Sequence, residues 1–103
     1  MANESGNFDA HLAAAAGEDP GLVSELRACF LESMAQQIDL LQRARCDGNW
    51  ITAAQRLKGL GASFHSQTLI GLADEALDGA PGDPVIIRRL AEFSASFLPS
   101  ATN

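Results

Sequence analysis

Histidine and cysteine are scarce in this 103-residue sequence, which holds two of each: His11, His65, Cys29 and Cys46. Two cysteines cannot build a disulfide framework, and they point to a reducing, cytoplasmic setting. Their spacings offer no C-x₂-C or H-x₃-H ligand pair, so a metal centre from His11, Cys29, Cys46 and His65 is not expected, and no cofactor is implied. Bases are also few: seven Lys and Arg against thirteen Asp and Glu give a formal charge of −6. An acidic chain is poorly suited to a nucleic-acid backbone, which requires clustered Lys and Arg. No apolar run approaches the length of a membrane span, and Glu4 and Asp9 stand where a signal peptide would be basic. No Ser/His/Asp arrangement or phosphate-cradling glycine loop is present. The expectation is therefore a small, monomeric, non-enzymatic domain in the cytoplasm.

The segments between its turn residues are rich in Ala, Leu, Gln, Glu and Arg, all good helix formers, and show no sustained period-2 alternation that would mark strands. Turn-forming residues divide it at 17–21, 46–49, 65–66 and 79–84. Two of these breaks end in Asp-Pro (Asp19-Pro20 and Asp83-Pro84), which reads as a helix N-cap followed by proline at the first helical position. The pattern predicts helices near 8–16, 20–45, 50–64, 67–78 and 84–97. In the second, the apolar stripe is read through Leu22, Leu26, Cys29/Phe30, Ser33, Gln37, Leu40/Leu41 and Ala44, which makes Cys29 a core residue. The fourth offers Leu69, Leu72, Ala73, Ala76 and Leu77, and the fifth Ile86, Leu90, Phe93 and Phe97. The fold expected is all-α: an antiparallel up-and-down four-helix bundle at 8–98 with a short N-terminal helix across one end, between flexible segments at 1–7 and 99–103.

The third long helix carries the functional signal. With Leu57 at zero and about 100° per residue, Trp50, Ala53, Ala54, Leu57, Leu60, Gly61 and Phe64 fall within about 60° of one line, the core face. Gln55, Gly59, Ala62 and Ser66 fall about 140–200° away on the opposite side, flanked by Arg56 and Lys58. Gly59 in mid-helix costs roughly 1 kcal/mol against Ala. Such a bare strip is either tolerated surface variation or a smooth face that admits another protein's backbone. Gly61, on the core side, reads as a point of close approach between helices.

Ala54-Gln55-Arg56-Leu57-Lys58-Gly59, with the small and apolar stretch to Leu69, resembles the signature of histidine-containing phosphotransfer (HPt) domains. Phe8 through Gly17-Glu18-Asp19, the helix through Phe30 and the Asp47–Trp50 turn are also similar to the family's arrangement, so the resemblance covers nearly all of residues 8–97. It implies an up-and-down bundle that relays phosphoryl groups between receiver-domain aspartates, with a response-regulator receiver or a sensor histidine kinase as partner. The resemblance implies docking through Gln55, Arg56, Lys58, Gly59, Ala62 and Ser66, with Lys58 near enough to offset phosphoryl charge.

Four positions depart from the signature. Gln55 stands where the family has its phosphoacceptor histidine, Leu60 where a small residue is usual, and His65-Ser66 in place of Gly-Ala. A carboxamide nitrogen is delocalised into its carbonyl and is not a nucleophile, so no phosphoacceptor is expected at 55. The leading reading is a docking or competitor module of a two-component phosphorelay. The alternatives are a phosphotransfer-competent protein in which one base change has put glutamine for histidine, and a helical interaction module unrelated to phosphorelay. His65 and His11 are expected to lie off the docking face.

Overall fold

The computed structural model describes residues 4–97. It has five helices, α1 (Glu4–Ala15), α2 (Pro20–Arg43), α3 (Asp47–Ser63), α4 (Gln67–Asp78) and α5 (Pro84–Ala95), and no strand among the described residues. Of the segments expected to be flexible, 1–3 and 99–103 lie outside the described residues, whereas 4–7 form the first turns of α1.

The two Asp-Pro caps are those the sequence specifies. Asp19 holds the start of α2, its carboxylate accepting from the Gly21 and Leu22 amides at 3.0 and 3.3 Å. Asp83 does the same for α5 through Val85 at 3.0 Å, and proline follows each cap. Ser66 caps α4 by accepting from the Leu69 amide at 3.2 Å. An N-cap of this kind contributes about 1 kcal/mol by satisfying an otherwise unpaired donor.

Helix ends differ from the expectation by a few residues. Helix α2 stops at Arg43 because Ala44 turns to extended backbone, and α3 begins three residues before Trp50, with Asp47 in the turn where the helix dipole favours an acid. Ser96 and Phe97 form a turn beyond α5.

Each of α3, α4 and α5 buries the face expected: Trp50, Ala53, Ala54, Leu57 and Gly61; Leu69, Leu72, Ala73 and Ala76; Ile86 and Leu90, joined by Phe97 beyond the helix. Helix α2 does not. Its buried residues are Phe30, Met34, Ile38 and Leu41, while Leu22 and Leu40 are exposed and Cys29 is a free, exposed thiol. The real stripe is rotated from the expected one. Apolar residues occur around much of α2, and period alone cannot choose among them when α1, α3 and α5 all pack on this helix.

At one end of the molecule Phe8 of α1 meets Phe30, Phe97 and Phe64 with ring centroids 4.4, 5.2 and 6.1 Å apart. That aromatic cluster anchors α1, together with Leu12. Helices α3 and α4 run antiparallel: Trp50 near the start of α3 donates its indole N–H to the Ala76 carbonyl near the end of α4, at 2.6 Å, and Gly61 near the end of α3 faces Leu69 and Ile70. The Trp50 bond is buried, so its loss removes a hydrogen bond and leaves space behind. Trp50→Phe should therefore lower stability by about 1–3 kcal/mol, read as a shifted midpoint in urea unfolding with an unchanged m value.

Candidate functional site

The outward face of α3 follows from its inward one. Trp50, Ala54, Leu57 and Gly61 are locked against α4 and the core, which turns Gln55, Arg56, Lys58, Gly59 and Ala62 to solvent, and all five are exposed. The Gln55 side chain makes no hydrogen bond or ion pair with the described residues. Ser66 does not belong to this surface. It is completely buried, with its hydroxyl spent on the α4 cap, because α3 ends at Ser63 and the chain turns inward before 66. The helical count that placed it on the strip does not apply beyond the helix.

Gly59 and Gly61, two positions apart on α3, have very different surroundings. A β-carbon on Gly61 would stand 3.1 Å from the Ile70 backbone nitrogen and 3.2 Å from the Leu69 β-carbon, so the close α3–α4 approach requires glycine there. A β-carbon on Gly59 would meet nothing within 4 Å. Nothing in this chain's own packing calls for glycine at 59. Gly48 and Gly71 are equally open, so it is the run of bare positions Gln55, Gly59 and Ala62 along one helix face that marks the strip.

The cations flanking the strip are differently engaged. Lys58 pairs with Asp74 of α4 at 2.9 Å, both side chains about half exposed. Asp74 is thus a partner for the lysine rather than part of a purely solvated acidic face, and an exposed pair of this kind contributes only about 0–1 kcal/mol. Arg56 has no carboxylate partner among the described residues and lines a cleft between α2 and α3. The helix pattern did not reveal this cleft, since its walls come from two helices; the one signal was Gln37, which with Ser33 is a polar residue on a mostly apolar stripe.

His65 lies beyond the end of α3 with φ +60°, in the left-handed region that glycine occupies without cost. Its imidazole stacks on that of His11, centroids 5.5 Å apart, and both residues are exposed. No local pattern signals this pairing. Neither ring is on the Gln55–Gly59–Ala62 strip. Among the described residues no three His, Cys, Asp or Glu side chains gather as a metal site, and no helix is long and apolar enough to cross a membrane.

Chemically, the strip offers a carboxamide, two nearby cations and a smooth floor, with no group on it that attacks phosphorus at neutral pH. It can hydrogen-bond and admit a partner closely. Comparison with family models, with curated proteins and with solved structures finds no match for this chain.

The two glycines give opposed expectations. Gly59→Ala should raise stability by up to about 1 kcal/mol through helix propensity alone. Gly61→Ala should lower it by about 1–3 kcal/mol through overpacking against Ile70, both measured by urea unfolding. At the α3 terminus, His65→Gly should relieve the left-handed backbone and gain about 1 kcal/mol, seen as a raised thermal midpoint.

Proposed function

We propose that this chain is an HPt-like docking module of a two-component phosphorelay, one that engages a receiver domain or a histidine kinase without accepting phosphate. The observation that carries the reading is the exposed, bare strip of α3. Gln55 occupies the position of the phosphoacceptor in the signature that residues 54–59 resemble, and Gly59 one turn later faces open space that the chain itself does not use.

The arrangement of helices supports the same reading. Contacts run from α2 to α3, α3 to α4, α4 to α5 and α5 back to α2, as an up-and-down antiparallel four-helix bundle requires, and α1 packs on α2. Within that frame Gln55 sits near the middle of α3, where a convex partner surface can reach it. A receiver that docks here would find a hydrogen-bonding amide in place of a nucleophile, and Lys58 would have to leave Asp74 to meet a charge on the partner. The module would compete with a phosphate-accepting protein for the same receiver.

Calorimetric titration of the protein against a panel of purified receiver domains tests this. Binding by at least one receiver is expected, weakened about tenfold or more by Gly59→Arg, which plants bulk and charge on the strip and is open enough to leave the fold intact. Absence of receiver binding, or binding indifferent to Gly59→Arg, would overturn the proposal. Gln55→His addresses the reading in which only the nucleophile has been lost. Acid-labile phosphoryl uptake by that variant from a phosphorylated receiver would support it, and failure of uptake with binding retained would favour a dedicated docking module.

A further inference from the structure

The cleft between α2 and α3 has the chemistry of a small-ligand site distinct from the docking strip. Its volume is about 300 Å³, room for a compound of a few heavy atoms. Arg43 and Arg56 are among the residues that line it, and no Asp or Glu is, in a chain whose formal charge is −6. Arg43 shares its charge with Asp39 one turn away at 3.1 Å, whereas Arg56 has no carboxylate among the described residues. The floor is apolar, from Ala44 and Ala53, both buried. Polar contacts are available from Asn49 and Thr52 at the rim.

The decisive atom is Oε1 of Gln37. It is buried and has no hydrogen-bond partner, and Gln37 is one of the residues that line this cleft. A buried acceptor left unpaired costs roughly 1–3 kcal/mol, so native folds supply such atoms with a donor. Here α2 and α3 supply none. An unpaired acceptor and an unpaired arginine among the residues of one cleft call for a ligand that brings both complements: an N–H donor and an anion, on one small frame. Arg selects planar anions through its fork of donors, which favours carboxylate.

We propose that the α2–α3 cleft binds a small carboxylate carrying an adjacent N–H donor, an amino acid or N-acyl amino acid in chemical class. The carboxylate pairs with Arg56, assisted by Arg43, and the N–H donates to Gln37. This site does not depend on the docking reading and would exist whether or not a receiver binds α3.

The test is a ¹⁵N–¹H NMR titration of the whole protein with four probes. N-acetylglycine has both groups, acetate the carboxylate alone, and N-acetylglycinamide the N–H without the charge. N-acetylglutamic α-amide presents the carboxylate as a protein side chain would. Saturable shifts at Gln37, Thr52 and Ala53 are expected with N-acetylglycine, half-complete at least about threefold below acetate, with none from N-acetylglycinamide. Arg56→Gln should weaken N-acetylglycine about tenfold, and Gln37→Leu should abolish its advantage over acetate while a far-UV spectrum shows the helices intact. No saturable shift below about 50 mM, or shifts unchanged in Arg56→Gln, would overturn the site. Binding of N-acetylglutamic α-amide alone would also overturn it, since the occupant would then be a partner's acidic side chain.

Discussion

The seam between α3 and α4 determines what the rest of the molecule can present. At one end Gly61 lets α3 come against the backbone of Ile70, and at the other the Trp50 indole reaches the Ala76 carbonyl. These two attachments, about eleven residues or three helical turns apart along α3, leave it no freedom to rotate. Rotation by even one residue, about 100°, would bring Arg56 or Lys58 toward buried Leu69 and Ala73, at the cost of an uncompensated charge. The Lys58–Asp74 pair sits on the outside of the same seam and agrees with that orientation without fixing it. Since the inner face is fixed, the outer one is too, and Gln55, Gly59 and Ala62 stand together in solvent as a consequence of packing on the other side.

That geometry separates position from chemistry. A helix this firmly seated is a good platform for a group that must meet a partner at a set place, and positions on rigid elements are held more closely than positions on loops. The group so placed is a carboxamide, which can donate and accept hydrogen bonds but cannot form a stable bond to phosphorus at neutral pH. The two histidines of the chain are stacked on each other where α1 meets the α3–α4 turn, away from the strip. On the other flank of α3, Arg56 lines the cleft against α2, while Gln55 beside it is exposed.

Much of this could be read from the residues in order. The Asp-Pro pairs gave two helix starts, and the α4 span was legible to the residue because Ser66 and Gly79 bracket it. The core face of α3 was legible because it is uniformly apolar or small, with Gly61 the one residue whose role depended on what lay opposite. The phase of α2 was not, for the opposite reason: with Leu22, Leu26, Leu31, Leu40 and Leu41 spread around the helix, only its neighbours decide that Met34 and Ile38 go inside while Cys29 does not. Ser66 was misplaced for a related cause, since helical counting was carried past the residue where the helix stops. Contacts between distant segments, such as His11 with His65 and Gln37 with the α3 side of the cleft, leave no local pattern. They follow from the fold and appear only with it.

The most direct test of the central claim is to locate the contact surface while a receiver domain is added to ¹⁵N-labelled protein. The amides of Gln55, Gly59 and Ala62 should shift together and saturate, with α5 amides such as Arg88 unmoved. Saturable shifts centred on α5, or none on α3, would contradict the assignment of the α3 face as the docking surface.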